Sequence, residues 1–430
     1  MRPTTSRLAA VDEANLVLDH VGQVNVFLCA GLLDPGGFVG RDGRPDLPVL
    51  REALHHRIAA LPALRRVPVA SGRRHYWVNA WPDLELHIRL IDPVEGLVGL
   101  ERKCAQLMTV PLSLDRPPWE LLVVPGASAG KLGVVLRIHH AIADGAAAVA
   151  IVQQLFGGAE VDGQRSVDSA HSPSDGPSAP ARAGRVGHHP RHRFRKIGFG
   201  LRRMLTTLAG KSIGSTVLLG DRGPQRGVVF VDANIRALKT RMRPLGATVN
   251  DALLAAAAAA FVATLSAVGE PLPAELPVSI PVALRRQGTS GNQVGVMLVR
   301  LPVGVSDPEE RLRIIAARTR VEKERAREQG TLEFMRGPVG ARIMDRVVRR
   351  QHLVAGFITN VPGPSTPMVL AGAPVVAIWP VAVLAANVRL GVAAVSYSGT
   401  LWCGVHFDEA TLPGSVFAQS LRKEFGRLTG

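Results

Sequence analysis

Residues 132–156 read LGVVLRIHHAIADGAAAVAIVQQLF and contain the clearest strand-to-helix junction in the chain. The apolar, β-branched run Leu132–Ile138 predicts a buried strand, and Asp144–Phe156 predicts a buried helix. His139 and His140 lie where the strand ends. Because a strand end holds a side chain rigidly at the edge of a pocket, this junction is the first candidate for a site of chemistry.

The residue types at the junction allow two readings. A neutral imidazole with a reference pKa near 6.5 suits a general base that deprotonates an alcohol near neutral pH. Asp144 can cap the following helix or pair with Arg89 or Arg137, and Gly145 permits a tight turn. The alternative is a hydrogen-bonded core histidine beside an aspartate that only caps a helix. A histidine pair by itself favours this structural alternative.

Composition bounds the class of protein. The chain has 430 residues, of which 47% are hydrophobic and 20% charged, which excludes a chain that is disordered throughout and fits two or three domains. It carries 51 Lys and Arg against 35 Asp and Glu, a net charge of +16, which favours anionic partners. The well-separated Cys29, Cys104 and Cys403 indicate neither a disulfide framework nor a cysteine zinc site, and they favour a reducing cytosol.

A change in composition divides the chain. We predict an N-terminal domain over residues 1–160, a crossing linker over 161–225 and a C-terminal domain over 226–430, in a two-domain α/β arrangement with the site between the halves. Ser166–Pro190 is rich in Ser, Pro and Gly, and a basic stretch with interleaved apolar residues follows it to Lys211. That stretch predicts a solvated linker or an element that contacts a membrane surface. Nucleic-acid binding is the weaker alternative because no recognised module accompanies the charge.

Two apolar regions could suggest membrane spans. Ala252–Ala263 is only 12 residues long, which is too short for a bilayer of about 30 Å. Leu353–Asn387 lacks charged side chains, but repeated prolines would break a helix there. Acidic residues at Asp12, Glu13 and Asp19 interrupt the N-terminus where a secretion signal needs an apolar run. We therefore expect a cytoplasmic protein with no transmembrane helix.

Local patterns predict several further elements. Thr248 caps a helix with Asp251 as its capping-box partner, and Ser306–Glu309 opens a second capped helix that continues to about Arg327. Alternation and apolar spacing predict a helix over Asp46–Ala60 and strands over Leu84–Ile91, Val392–Tyr397 and Leu401–Phe407.

Several short segments of the chain form an ordered set of motifs. HHAIADG has the pattern HHxxxDG, and the other segments are Leu8–Asp12, Pro111–Glu120, Val249–Asp251, Gly291–Gln293, Thr359–Pro364 and Val395–Asp408. HHxxxDG resembles the signature of the wider CoA-dependent acyltransferase superfamily, which has the chloramphenicol-acetyltransferase-like fold. The other segments resemble, in the same order, a diverged LSPLDA, PLDRSRPLWE with Pro118 in place of Leu, ND, GN, SNVPGP and the C-terminal hairpin of the bacterial wax ester synthase/diacylglycerol acyltransferase family. The ordered set is far more specific than HHxxxDG alone.

The resemblance implies mixed α/β sheets in two chloramphenicol-acetyltransferase-like domains, with a substrate tunnel between them. It implies that His140 removes a proton from an acceptor hydroxyl and that the oxygen attacks the thioester of acyl-CoA, with no metal and no other cofactor. The acceptor would be diacylglycerol or a long-chain alcohol, giving triacylglycerol or a wax ester. Asn250 is the first candidate to stabilise the oxyanion, although its position suits a first-turn helix residue equally well.

Other residues are expected to support the site rather than react. We expect His139 to orient the loop, Asp251 to cap its helix, and Trp119 to pack against the strand before the motif. Asn360, Pro362 and Gly363 would form a rigid loop at the pocket. The protein would work at a peripheral membrane or lipid-droplet surface. Two alternatives stay open, namely another acceptor such as a polyketide or glycolipid hydroxyl, and a catalytically silent protein that binds a lipid surface.

Overall fold

The computed structural model describes residues 5–19, 23–72, 74–157, 213–283, 294–329 and 351–430. The predicted linker segment Ser166–Pro190 and the basic stretch after it lie outside these residues. The strands are β1 Thr5–Arg7, β2 Val26–Leu33, β3 Arg66–Ser71, β4 Arg74–Asn79, β5 Ile88–Leu90, β6 Trp119–Ser128, β7 Lys131–His139, β8 Arg226–Asn234, β9 Leu276–Ala283, β10 Val294–Leu301, β11 Gly356–Pro362, β12 Val369–Leu370, β13 Ala373–Val381, β14 Leu390–Tyr397 and β15 Thr400–Asp408. The α-helices are α1 Ala10–Asp19, α2 Leu47–Ala59, α3 Leu84–His87, α4 Gly96–Leu107, α5 Gly145–Phe156, α6 Ile235–Met242, α7 Val249–Ala267, α8 Pro308–Gln329 and α9 Gly414–Thr429.

The first six-stranded sheet has the order β12-β13-β2-β7-β6-β5. Every residue of β2 is buried, as expected for a central strand that is covered on both faces. Apolar side chains of α2 and α5 pack on one face of this sheet, with Leu54 and Ile151 in the same core cluster as Leu136 of β7. A small sheet, β1-β4-β3, stands beside it. The predicted mixed α/β class is thereby confirmed.

The second six-stranded sheet has the order β10-β9-β11-β14-β15-β8 and contains both parallel and antiparallel pairs. Helices α7, α8 and α9 share its core, which includes Phe261 of α7, Leu312 of α8 and Phe417 of α9. Helix α7 is longer than the predicted 12-residue run. At 19 residues it is long and apolar enough to cross a membrane, but 67% of its most apolar 18-residue stretch is buried inside the protein. Its apolar surface therefore serves the core.

The second half of the chain contributes two strands to the first sheet. Strands β12 and β13 come from the second half but join the first sheet, where Val381 pairs with Leu28 in an antiparallel register. Phe230 of β8 stacks on Trp379 of β13 at 4.6 Å between ring centroids, in a core cluster that fills the space between β8 and the first sheet. A site between the halves therefore has walls from both parts of the sequence.

Local predictions were confirmed for α2, α5, α7, β7, β14 and β15, with small shifts of their ends. The strand predicted over Leu84–Ile91 was wrong in its first half, which is helix α3. The Asp83 side chain accepts a hydrogen bond from the Glu85 amide and so caps a helical turn before β5 begins. Helix α8 begins after Asp307, whose carboxylate accepts from the Glu310 amide, so Asp307 rather than Ser306 is the capping residue.

Candidate active site

The HHAIADG motif lies where β7 ends and α5 begins. Val26 at the start of β2 pairs with His139, so the two central strands of the first sheet meet at the motif. Asp144 is the N-cap of α5, and its Oδ1 accepts a hydrogen bond of 2.9 Å from the Ala147 amide. Capping thus fixes the direction in which the loop enters the helix.

The expectation that Arg89 or Arg137 pairs with Asp144 was wrong, because both bind Glu120. Antiparallel pairing of β6 and β7 places Glu120 directly opposite Arg137, and the two side chains form a buried ion pair. The other Glu120 oxygen lies 2.7 Å from Arg89. Arg137 also donates to the Leu107 carbonyl at 2.8 Å, so this pair ties β7 to the end of α4.

His139 contacts the loop through its Nδ1 atom. The Ala141 amide donates to Nδ1 at 3.0 Å, so Nδ1 carries no proton and the proton of the neutral ring is on Nε2. Nε2 faces the Asp19 carboxylate at 3.6 Å, and the other Asp19 oxygen accepts from the Asn25 amide at 2.7 Å. His139 is fully buried. This geometry agrees with a loop-orienting part for His139.

His140 is held by its backbone and keeps part of its surface accessible. Its amide donates to the Asn25 carbonyl at 2.9 Å, and its carbonyl accepts from Asn15 Nδ2 at 3.2 Å. Asn25 Nδ2 in turn donates to Asn15 Oδ1 at 3.1 Å. Sequence reasoning missed Asn15 and Asn25, because no spacing pattern links two single amides to a motif more than 100 residues away.

Desolvation lowers the pKa of His140 to about 4, and the neighbouring His139 lowers it further, while a hydrogen bond with the Ala143 backbone acts in the opposite direction. The His140 imidazole is therefore neutral at pH 7. A neutral ring is the form that accepts a proton.

The two predicted residues at the start of α7 differ in their surroundings. Asp251 is buried and forms the predicted capping box, in which its Oδ2 accepts from the Thr248 amide at 2.8 Å and the Thr248 hydroxyl accepts from the Asp251 amide. Its Oδ1 accepts from the Thr319 hydroxyl at 2.6 Å, which joins α7 to α8. Asn250 lies half-buried in the first turn of α7, and its part as an oxyanion donor stays a prediction.

The segment with Asn360, Pro362 and Gly363 lies at the end of β11, next to the motif helix. A Cβ atom on Gly145 would lie 3.7 Å from Val361 Cγ2, so the start of α5 packs on this strand. Gly363 donates its amide to Ser396 Oγ at 3.1 Å. Any side chain at Gly363 would overlap the carbonyl of that serine, which explains why glycine is required. Asn360 is half-buried and Pro362 is exposed.

Trp119 packs beside the motif strand, as predicted, and pairs with Ile138 across the β6–β7 ladder. Its indole N–H donates to the Leu64 carbonyl at 2.9 Å, and its ring lies 4.8 Å from the His87 ring. Within the described ranges, no group of three or more His, Cys, Asp or Glu side chains is placed to hold a metal ion. The three cysteines are free and buried.

The sequence-family model of the wax ester synthase/diacylglycerol acyltransferase catalytic domain matches residues 8–253. The family model of the C-terminal domain of the same family matches residues 290–428. The chain belongs to the wax ester synthase/diacylglycerol acyltransferase family. It is an O-acyltransferase, and the family implies acyl-CoA and a hydroxyl acceptor as substrates.

Relatives of this acyltransferase come from mycobacteria and beyond. A Mycobacterium tuberculosis protein named as a diacylglycerol O-acyltransferase is 27% identical over 93% of this chain and 85% of its own length. A second one from that organism, Tgs1, is 29% identical over 77% of this chain and 76% of its own length. Among solved structures, the wax ester synthase/diacylglycerol acyltransferase of Marinobacter aquaeolei has the same fold, with a TM-score of 0.71 at 19% identity and 98% coverage of both chains.

Proposed function

We propose that this acyltransferase moves a long-chain acyl group from acyl-CoA to diacylglycerol or a long-chain alcohol, with His140 as the general base. The supporting observation is the state of that imidazole, which is neutral, partly accessible and fixed by backbone hydrogen bonds on both sides. A general base must be unprotonated before it can act, and a neutral, partly accessible imidazole supports this proposal.

The reaction follows from these groups. His140 takes the proton of the acceptor hydroxyl while the oxygen attacks the thioester carbon, which gives a tetrahedral oxyanion. Collapse of that intermediate breaks the carbon–sulfur bond, and the proton on His140 passes to the departing thiolate, so the products are an ester and free CoA. Asn250 would donate its side-chain amide to the oxyanion. The proposed route uses acyl-CoA as co-substrate and needs no metal or other cofactor.

The choice of acceptor draws on the relatives, which are named for diacylglycerol and wax ester chemistry. Another acceptor is the second candidate. A trichothecene 15-O-acetyltransferase from Fusarium sporotrichioides shares the fold with a TM-score of 0.63 at 12% identity over 99% of this chain and 95% of its own, so this fold is also found with an acceptor that is not a simple lipid alcohol. A catalytically silent lipid-binding protein is the third.

The decisive experiment measures CoA release and product mass with purified protein and palmitoyl-CoA. The acceptors are a diacylglycerol, a long-chain alcohol, and a polyketide or glycolipid alcohol. We expect ester from the first two and loss of CoA release in His140→Ala, whereas His56→Ala, a change of an exposed histidine on α2, leaves it intact. Undiminished CoA release by folded His140→Ala would remove His140 from the mechanism, and turnover with the third acceptor alone would favour the second candidate.

We also propose that the protein works at a lipid surface. Trp81, Leu86 and Leu90 are each 45–49% exposed and lie on consecutive segments of the first half. The Arg65 guanidinium stands 5.3 Å from the Trp81 ring, so a cation lies beside one of these exposed apolar side chains, a combination that suits contact with an anionic membrane.

Vesicle co-sedimentation tests this surface. We expect binding to phosphatidylglycerol vesicles that weakens when Trp81, Leu86 and Leu90 are all changed to serine. Val268→Ser is the control, because Val268 is 40% exposed in the second half of the chain. If the triple variant binds the vesicles as well as the parent chain does, another part of the chain makes the lipid contact. The basic linker is then the remaining predicted contact.

A further inference from the structure

A cavity of about 520 Å³ lies between the two large sheets, at the end where β2 begins and β13 ends. Its walls combine cationic, polar and apolar side chains from both halves, among them Thr109, Arg222, Arg226, Leu384 and His406. Gln23 and Val24 also line it, and they directly precede Asn25, whose carbonyl accepts the hydrogen bond from the His140 amide. The cavity thus adjoins the segment that holds the motif, although no motif residue lines it.

His406 lines this cavity and carries an unpaired hydrogen-bond acceptor. The side chain lies on β15 and is only 2% exposed. Its Nδ1 lies 2.7 Å from the Ala382 carbonyl, which only accepts, so Nδ1 carries the proton and Nε2 carries a lone pair. Nε2 makes no hydrogen bond with any residue that the structure describes. Buried polar atoms are nearly always paired, so Nε2 of this cavity-lining histidine is a candidate acceptor for a donor on a ligand.

The same wall is positively charged. Arg226 lies 3.3 Å from Asp408, and Arg389 lies 3.8 Å from that carboxylate, so one buried anion faces two guanidinium groups. Arg222 adds a further positive charge and donates to the Leu384 carbonyl. Burial lowers the pKa of His406 to about 4, the hydrogen bond with the Ala382 carbonyl acts in the opposite direction, and the charges of Arg226 and Arg222 lower it further.

We propose that this cavity binds a phosphate ester whose nearby hydroxyl or amide N–H donates to His406 Nε2, while Arg222 and Arg226 attract the phosphate. The neutral acceptor and the cations select different parts of one ligand, and apolar Met108 and Leu384 suit a carbon chain next to the polar group. Two sources carry this chemistry, namely CoA, with its phosphates, hydroxyl and amides, and a phosphorylated glycerol lipid.

Isothermal titration calorimetry on the full chain tests the site with CoA, pantetheine and glycerol 3-phosphate as probes. We expect His406→Phe and Arg222→Gln each to raise the Kd of the bound phosphate probe at least about tenfold, with a smaller rise for Arg222→Lys because it keeps the charge. Pantetheine lacks phosphate, so Arg222→Gln should leave its Kd unchanged. If the variants weaken the binding of CoA but not that of glycerol 3-phosphate, the ligand of the cavity is CoA. If glycerol 3-phosphate competes for the site, the ligand is a phosphorylated glycerol lipid.

Two further variants make the result decisive. Thr109→Trp fills the cavity from an exposed position at the end of α4, so it tests the site even if His406→Phe does not fold. His56→Ala, a change of an exposed histidine on α2, should leave probe binding unchanged and is the control for His406→Phe. If folded Thr109→Trp and Arg222→Gln bind both phosphate probes with Kd values within a factor of two of the parent chain, or if the parent chain binds neither, the site does not exist.

Discussion

His140 and His406 are both imidazoles near the end of a strand, and burial lowers the pKa of each to about 4. The hydrogen bonds that hold the two histidines in place differ. His140 is anchored through its backbone amide and carbonyl, and part of its surface is accessible. His406 is anchored through its ring, by the contact of Nδ1 with the Ala382 carbonyl, and it is almost fully enclosed. A lowered pKa alone therefore does not distinguish a base from a binding residue.

The comparison indicates that anchoring and access decide what a buried imidazole can do. A general base must change its protonation state as a substrate reacts, which requires contact with the reacting atoms. A binding residue only has to present a fixed lone pair. Variants of the two histidines can separate the role of a base from that of a binding residue.

The largest expected difference concerns turnover. His140→Gln removes the proposed base and should lower kcat by about 10²–10⁴-fold, since positioned general bases contribute about that much. His406→Phe should keep kcat within about tenfold, because nothing places His406 at the reacting atoms. Steady-state CoA release at saturating acyl-CoA measures both. Equal losses of kcat in the two folded variants would contradict the distinction between the histidines.

The second prediction concerns how the free energy of unfolding depends on pH. Each folded-state pKa lies below the reference value near 6.5, so between pH 6.5 and about 4 the unfolded chain binds more protons. Stability should therefore be highest above pH 6.5 and fall as the pH decreases, by at most about 1.4 kcal/mol per pH unit for each histidine. Urea unfolding at pH 5, 6 and 7 measures this slope.

Variants assign that slope to residues. The folded-state pKa of each ring is about 4, so His406→Phe and His140→Gln should each reduce the slope by the contribution of one histidine. A slope that both variants leave unchanged would mean that the acid sensitivity comes from other groups.

The sequence was sufficient for features that depend on neighbouring residues. The strand and helix around His139 and His140 follow from apolar runs, and the capping box of Thr248 and Asp251 follows from a spacing of three residues. The family resemblance rested on motifs of the same local kind. These features were predicted because the interactions that form them lie within one or two turns of the chain.

Features made by distant contacts were not predicted. The pairing of Val381 with Leu28 joins two residues that are more than 350 positions apart, and neither strand carries a signal for its partner. Glu120 and Arg137 become neighbours only through the β6–β7 register, so Asp144 was an equally plausible partner from sequence. His406 stands in an ordinary apolar strand pattern. Its unpaired Nε2 becomes visible only when the residues around it are in place.

A third prediction tests whether the support of His140 extends into the second half of the chain. Gly363→Ala would drive a Cβ atom into the Ser396 carbonyl and to 2.8 Å from Val395 Cγ2. We expect a loss of about 1–3 kcal/mol in the free energy of unfolding, as for other overpacked sites. The control is Gly426→Ala in α9, where a Cβ meets nothing within 4 Å, and it should be neutral or stabilising. Equal stabilities would exclude close packing at Gly363.

The smallest expected effect concerns Asn15, whose side-chain amide donates a hydrogen bond to the His140 carbonyl. Asn15→Ala removes the donor to the His140 carbonyl and the contact with Asn25, and should cost about 1 kcal/mol per hydrogen bond lost. Because the motif loop then loses one of its two backbone anchors, kcat should fall by more than the fraction of unfolded protein explains, while the Kd for CoA stays constant. Asn15→Asp keeps an acceptor for Asn25 but not the donor to His140, so it should restore part of the stability without restoring kcat. If both the stability and kcat recover together in Asn15→Asp, Asn15 acts on the fold alone. The backbone hydrogen bonds of His140 would then not be what distinguishes it from His406.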